Sequence, residues 1–174
     1  MIYIGIDPGA KGGIAYINTE TGKSGKAQTP TLGGDVDIQK FCEFIKSLTK
    51  GEHMVIVEDV HSVFGASAKA NFTFGGNVMG IEWALVALGC KYVKVAPKVW
   101  QKEMWTGVSI VKINTGKKTK DGNIKYKNDT KATSLIAAKR LFPKEDFLAT
   151  VRSKIPHDGI VDALLLAEYG KRKF

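Results

Sequence analysis

The stretch IYIGIDPGAKGGIAYI, residues 2–17, decides the fold. Isoleucine occupies alternate positions at its start, which is the two-residue period of a β-strand, and Pro8-Gly9 ends that strand. A second apolar run begins after Gly13, so the stretch predicts a hairpin of two buried strands. Asp7 closes the first strand, where a carboxylate either starts the Asp-Pro-Gly turn or is paired or bound to a metal.

A second carboxylate occupies the same kind of position further along the chain. The run MVIVE at 54–58 is continuously apolar until Glu58, which predicts a central buried strand that ends in a charge. Asp59 points to the other face, because side chains alternate along a strand. Gly5 lies one same-face step before Asp7 and leaves space beside it. Two carboxylates that each close a central strand together indicate a site.

Composition bounds the possible functions. The chain has 174 residues, enough for one domain with a proper core, and its 44% hydrophobic and 25% charged residues are ordinary for a globular protein. The net charge of +9 predicts a polyanionic partner, most often nucleic acid and less often a membrane surface. Cys42 and Cys90 are expected to be buried free thiols. No signal-like or membrane-spanning run is present, so we expect a cytoplasmic protein.

The middle of the chain alternates strand and helix patterns. Apolar residues that recur every three or four positions predict helices, and short β-branched runs predict strands. The predicted elements are a strand at 26–29, a helix capped by Asp35 or Asp37 and ended by Gly51, a helix at about 77–88, a strand at 91–96, and a short helix from Pro97 with Trp100 inward.

Residues 60–75 contain aromatic side chains at irregular spacing. One interpretation is a long loop that its aromatics, Phe74 above all, pin to the core. The other is that Phe64 or Phe72 is presented to nucleic-acid bases, as in proteins that bind single-stranded or distorted DNA.

Residues 106–131 are strongly basic, with seven lysines against two aspartates. Asp121-Gly122 predicts the tip of a β-hairpin. Such a segment is either a solvated insertion or a basic arm that binds a phosphate backbone, and both interpretations stay open. Asp129 or Thr130 is then expected to cap a helix. Its predicted apolar face contains Thr133, Ile136, Ala137 and the stem of Arg140.

The last predicted helix begins near Pro156 and is apolar enough to pack against the sheet. Asp158 and Asp162 are four residues apart, so they lie on one face of this helix and repel each other. A divalent cation or nearby lysines would offset that repulsion. Asp158 has an alternative role as a carboxylate favoured by the helix dipole, whereas Asp162 lies within an apolar stretch.

Together, the four carboxylates predict an acidic cluster in a net-positive protein. This combination suits metal-assisted cutting of a polyanion, in which two Mg²⁺ ions about 3.5–4 Å apart hold the attacking water and the leaving oxygen. Hard oxygen ligands favour Mg²⁺ or Mn²⁺ over zinc. His53, His61 and His157 show no zinc-ligand spacing.

The ordered motifs of the chain resemble those of a known family. IGIDPGAKGGIA, VIVEDVHS, FTFGGNVMG, VAPKVWQK and HDGIVDALLLAEYG are together similar to the RuvC-type Holliday junction resolvases of the phage and mobile-element kind. The resemblance covers nearly the whole chain. It implies an α/β, RNase H-like fold with a mixed five-stranded central sheet and helices on both faces. It also implies a homodimer and Mg²⁺-dependent paired nicking of four-way DNA junctions, with Mn²⁺ able to substitute.

The resemblance also assigns residues. It implies that Asp7, Glu58, Asp158 and Asp162 are the catalytic metal ligands, that His157 positions water or phosphate, and that Phe72 and Phe74 wedge the junction centre. The other candidate DNA-binding residues are Lys69, Lys98, Lys102, Lys117, Lys118 and Lys120. Two departures stand out: the lysine-rich segment at 112–127 is longer than in compact members, and the last two aspartates are four apart rather than three.

Other classes of protein share some of these features. A sugar-kinase or actin-like ATPase needs two lobes, which 174 residues do not hold. A ribonuclease H or transposase-type nuclease would share the fold and metals, and a non-catalytic junction-binding protein is the non-enzyme alternative. If the protein is a dimer, the helix from about Asn77 is the expected interface, through Met79 and Trp83.

Overall fold

The computed structural model describes residues 1–62 and 65–174, so Val63 and the candidate Phe64 lie outside the described residues. In chain order the elements are β1 (Ile2–Asp7), β2 (Gly13–Asn18), β3 (Ser24–Gln28), β4 (Thr31–Leu32), β5 (Asp35–Val36), α1 (Ile38–Leu48), β6 (His53–Glu58), α2 (Ala68–Ala87), β7 (Tyr92–Val95), α3 (Pro97–Met104), β8 (Lys112–Lys118), β9 (Ile124–Asn128), α4 (Thr130–Leu141) and α5 (Asp158–Lys173).

Five strands form the central sheet, in the order β3-β2-β1-β6-β7. The first three strands pair antiparallel, and β6 pairs parallel with both β1 and β7. Ile6 pairs with Val57, so Asp7 and Glu58 come next on two adjacent central strands. The predicted α/β fold with a mixed five-stranded sheet is confirmed.

Helices cover both faces of this sheet, as predicted. On one face, α1 and α2 pack over Ile4, Val55 and their neighbours. On the other face, α3, α4 and α5 pack over Tyr3 and Ile56. Gly5 and Asp7 point to this second face, because side chains alternate along β1.

Helix α5 lies directly on the backbone of β1 and β2. A Cβ at Gly5 would overlap the carbonyl oxygen of Ala163, and a Cβ at Gly13 would lie 2.5 Å from the backbone of Gly159. In the other direction, a Cβ at Gly159 would lie 2.9 Å from Asp7 Oδ2. These three glycines therefore allow the contact that brings the first turns of α5 to the end of β1.

Helix α2 corrects the predicted loop at 60–75. It begins at Ala68, about nine residues earlier than predicted, because Ser67 caps it by accepting a hydrogen bond from the backbone N–H of Ala70. No proline interrupts the following residues, so the helix continues through Gly75 and Gly76.

Several smaller expectations are settled as well. Asp37 caps α1 and Asp129 caps α4. Ile136 does not belong to the buried face of α4, because its side chain is 45% exposed while Ser134 and Ala138 are buried instead. Both cysteines are free thiols, with Cys90 buried and Cys42 half-buried. No helix of the described part is long and apolar enough to cross a bilayer.

Candidate active site

The two strand-end carboxylates differ in their surroundings. Glu58 is buried, and its Oε1 accepts a hydrogen bond of 3.0 Å from the indole N–H of Trp100 on α3. Asp7 lines an open pocket. Because paired strands lie about 4.8 Å apart, the two backbones that carry these acids are neighbours. Asp59 faces away from them and pairs at 3.2 Å with Lys94, as the alternation predicts.

The first turns of α5 supply the other two carboxylates. His157 is the N-cap of this helix, and its Nδ1 accepts a hydrogen bond of 3.3 Å from the backbone N–H of Ile160. That role requires the neutral Nε2–H tautomer. Asp158 is the first helical residue and is about half exposed. The Asp158 carboxylate can therefore interact favourably with the helix dipole and also contribute to the site.

One pocket of about 1190 Å³ brings together six of the candidate residues. Its walls include Asp7, Lys69, Phe74, His157, Asp158 and Asp162. Glu58 is not among its lining residues, but its charge acts on the neighbouring acids. The structure therefore brings the end of β1 and the first turns of α5 together around one pocket. The end of β6 lies on the strand next to β1.

The carboxylates have poor solvation and few partners. Burial, reinforced by the charges of Asp162, Glu58 and Asp158, holds the pKa of Asp7 well above its ordinary range. Burial and the charge of Glu58 raise the pKa of Asp162 to about 7. A hydrogen bond from Ser134 to Asp162 opposes this rise, but the buried Oδ1 of Asp162 has no hydrogen-bond partner among the described residues. Burial also raises the pKa of Glu58, against the opposing hydrogen bond from Trp100. Asp7 and Asp162 thus resist ionisation in the folded protein, and nearby positive charge opposes this only partly.

The partial compensation comes from Lys131, a residue that sequence reasoning did not assign to the site. Its Nζ lies 2.5 Å from Asp158 Oδ2, and this contact raises the pKa of the lysine. The sequence analysis grouped Lys131 with the basic arm because of the neighbouring lysines. Its position just after the helix cap Asp129 was the available signal, since that places it on α4 rather than on the hairpin.

The donor set fits a hard divalent cation. Four carboxylates suit Mg²⁺ or Mn²⁺, and the partnerless oxygen of Asp162 is the kind of atom that a cation would satisfy. Among the residues described, no three acidic, histidine or cysteine side chains already converge as a ligand set. In this arrangement Asp158 is engaged by Lys131, and Glu58 by Trp100. A cation that uses Asp158 would therefore compete with Lys131.

Aromatic and basic candidates border the pocket on the α2 side. The ring of Phe74 packs near Gly9 and lines the pocket, and Lys69 lies one helical turn earlier. Phe72 points away into solvent and is 85% exposed. A large aromatic side chain that is exposed beside a polar pocket has no role in the core.

The remaining basic candidates lie elsewhere. Lys98 and Lys102 are exposed on α3, and Lys117, Lys118 and Lys120 are exposed on or beside the β8–β9 hairpin. None of these five lines the acidic pocket. The structure therefore separates the acidic site from most of the lysines proposed to bind DNA.

Comparison with known proteins identifies the fold. No protein-family model matches the chain, and no curated protein matches it. Among solved structures, it is similar to Thermus thermophilus RuvC in complex with Holliday junction substrate, with a TM-score of 0.56 at 13% identity. It is also similar to a structure of Thermus thermophilus RuvC, with a TM-score of 0.52 at 18% identity. Each match covers 99% of this chain and 96% of the other. The chain therefore has the RuvC, RNase H-like fold over nearly its whole length.

Proposed function

We propose that this chain is an Mg²⁺-dependent endodeoxyribonuclease of the phage and mobile-element RuvC kind, which resolves four-way or branched DNA junctions by paired nicking. The observation that carries the proposal is the group of acids at the ends of β1 and β6 and the start of α5, where burial and neighbouring negative charges raise the pKa values of Asp7 and Asp162. This group lies in a fold shared with RuvC, on a chain with a net charge of +9.

The four carboxylates would hold the metal. When bound, Mg²⁺, or Mn²⁺ in its place, would lower the pKa of a water and stabilise the charge that develops on the leaving oxygen. Trp100 fixes Glu58 through its indole N–H, and Lys131 holds Asp158 before a cation arrives. His157 lines the pocket, and its Nε2 is the ring nitrogen that the helix cap leaves free for other contacts. It would position water or a phosphate oxygen there.

The substrate is proposed from the pocket wall and from the exposed surface of α2 beside it. Lys69 is placed to contact a phosphate, and the exposed ring of Phe72 is placed to stack on a base or to wedge between base steps. A single-stranded or distorted DNA segment offers unstacked bases, and the centre of a branched junction supplies them.

We further propose that the active form is a homodimer with two-fold symmetry. Resolution needs two symmetrical nicks, and a C2 dimer supplies two sites in that relation. The helix α2 carries a stripe of exposed apolar residues at intervals of four and three: Met79 (40% exposed), Trp83 (66%) and Val86 (62%). This spacing is that of a seam between packed helices. Val86 therefore adds one residue to the predicted interface of Met79 and Trp83.

The test is cleavage of labelled four-way junction, duplex DNA and RNA–DNA hybrid, each with Mg²⁺ and with chelator. The wild type should cut the junction only with Mg²⁺. Asp7→Asn, Glu58→Gln, Asp158→Asn and Asp162→Asn should each abolish cutting while junction binding stays intact or tightens, because each removes a ligand and a charge that repels phosphate.

The alternatives appear as distinct results of this assay. Preferred cutting of the hybrid would identify a ribonuclease H type of activity. Junction binding without any metal-dependent cutting would identify a non-catalytic binding protein. A single variant that keeps near wild-type cleavage in Mg²⁺ would remove that residue from the proposed ligand set.

A further inference from the structure

The lysine-rich hairpin has two chemically different faces. Ile113 pairs with Lys127, and Asn114 pairs with Tyr126, so these two pairs point to opposite sides of the ribbon. Lys118 pairs with Ile124 beyond a register shift and lies on the side of Tyr126. The hairpin thus divides its lysines between the two faces instead of presenting them as one charged surface.

One of these faces is concave and basic. It forms a groove of about 560 Å³ that includes Lys117, Lys125 and Lys127 with Ile113 and Thr115, and Asn114 also lines it although its pairing partner Tyr126 does not. The opposite face carries the half-exposed side chains of Ile124 and Tyr126. Lys112 and Lys118 do not line the groove, and Lys120 lies in the turn that joins the strands.

The groove lysines have no acidic partners. Within residues 1–62 and 65–174, no carboxylate forms an ion pair with Lys117, Lys125 or Lys127. Three ammonium groups on one concave surface repel each other, and a polyanion that enters the groove would neutralise all three. Neutralising phosphates in this way also releases their condensed counterions.

The hairpin is joined directly to the acidic pocket. Its second strand ends at Asn128, the next residue caps α4, and Lys131 of that helix contacts Asp158. Seven residues separate Asp129 from Gly122 in the turn, and at about 3.3 Å per residue the hairpin reaches about 23 Å from its base. The hairpin therefore begins within three residues of Lys131, a residue of the pocket wall, so that DNA bound at the pocket passes close to its base.

We infer that the hairpin binds the phosphate backbone of a DNA duplex arm through its concave face alone, with Lys117, Lys125 and Lys127 as the contacts. The opposite face, with Lys112 and Lys118, takes no part. The inference deepens the proposed function, since it assigns the substrate's duplex arm to a surface outside the acidic pocket. It also divides the candidates that the sequence suggested: Lys117 contacts DNA, and Lys118 and Lys120 do not.

The experiment compares two triple variants that remove equal charge. One carries Lys117→Ala, Lys125→Ala and Lys127→Ala, and the matched control carries Lys112→Ala, Lys118→Ala and Lys120→Ala. The affinity of each full-length protein for a labelled four-way junction and for plain duplex is measured over a series of salt concentrations in chelator. Circular dichroism and thermal melting establish that both variants fold.

Each phosphate contact adds about 0.9 to the slope of log affinity against log salt, so loss of three contacts should flatten the slope by about 2.7. The control should change it by less than about 1. Binding should weaken alike for junctions of different sequence, because phosphate contacts carry no base information.

Equal slope changes in the two variants, or no change in the concave-face variant, would overturn the inference. These outcomes can be distinguished from a failure of the proposed function. A wild type that binds DNA with a steep salt dependence but never cuts it would end the nuclease proposal, while the two variants would still decide between the faces. A wild type that resolves junctions, with an unchanged slope in the concave-face variant, would end the inference alone.

Discussion

Removing the charge of Asp162 should make the metal-free protein more stable, although it should abolish cleavage. Burial and the charge of Glu58 raise the pKa of Asp162 to about 7, and its buried Oδ1 accepts no hydrogen bond from the described residues. The folded protein therefore prefers the protonated acid, while the unfolded chain ionises near the ordinary value of 3.8. Asp162→Asn mimics the protonated form in nearly the same shape.

The size of the effect follows from linkage. A rise from 3.8 to about 7 is about three pKa units, and at about 1.36 kcal/mol per unit it corresponds to at most about 4 kcal/mol. The sign is set by the direction: the penalty is absent below the unfolded pKa, grows as the pH rises, and is complete above the folded pKa. For a chain of this size, 1 kcal/mol shifts Tm by about 2–4 °C, so the upper limit at pH 8 is roughly 8–16 °C.

The assay is thermal and denaturant unfolding of wild type and Asp162→Asn in chelator, at a series of pH values from 8 downward. The stabilisation should be largest at pH 8 and should shrink steadily as the pH falls through 7 toward the ordinary range of a carboxyl. Asp158→Asn is the matched control, because it removes a charge one turn away on the same helix. Its carboxylate is half exposed and paired with Lys131, so its removal should bring no comparable gain.

Two results would refute the reasoning. Asp162→Asn could be no more stable than wild type at pH 8 in chelator, which would mean that the buried charge is already compensated. Alternatively, its stabilisation could be the same at every pH, which would show that it arises from packing and not from ionisation. Addition of Mg²⁺ should raise the Tm of wild type more than that of Asp162→Asn, since the variant lacks one of the proposed metal-binding carboxylates.

Two further predictions concern the surface of α2. If the proposed dimer forms, Trp83→Glu should convert it into a monomer in sedimentation velocity and should reduce paired nicking, because the charge falls in the exposed stripe. Val99→Glu, at a 53% exposed site on α3, is the control and should sediment like the wild type. A wild type that sediments as a monomer at micromolar concentration, with and without junction, would contradict this. Phe72→Ala should leave Tm nearly unchanged, since the ring is 85% exposed, but should weaken junction binding by about 1–3 kcal/mol, as for loss of a base-stacking aromatic. Leu32→Ala, which trims another exposed apolar side chain (73%), should leave binding unchanged, and an equal loss in both variants would reject a stacking role for Phe72.

Much of the fold was predictable because its central strands have strong local patterns. The hydrophobic period placed β1 and β6 correctly, and a charge at the end of a buried strand is costly enough to mark Asp7 and Glu58 from sequence alone. The spacing of Asp158 and Asp162 likewise indicated one helical face. What these patterns could not give is how closely α5 approaches the sheet, because that depends on backbone contacts at Gly5 and Gly159 between distant parts of the chain.

The errors have the same origin. The start of α2 was predicted too late, because a Gly-rich stretch with irregular aromatics favours a loop unless the cap at Ser67 is recognised. Lys131 was not assigned to the site, because only the packing of α4 beside α5 brings it to Asp158. The faces of the hairpin depend on strand register, and the shift between Asn114 and Lys118 is invisible in the residue pattern.

The direct contact of α5 with the backbone of β1 and β2 has a consequence for how the site tolerates sequence change. Because main chain meets main chain at Gly5 and Gly13, the separation between Asp7 and the acids of α5 does not depend on the shape of any intervening side chain. Substitutions of apolar residues elsewhere in the core leave this main-chain contact itself in place. A methyl group added at Gly5, by contrast, would lift the whole helix and carry Asp158 and Asp162 away from Asp7 as one rigid body.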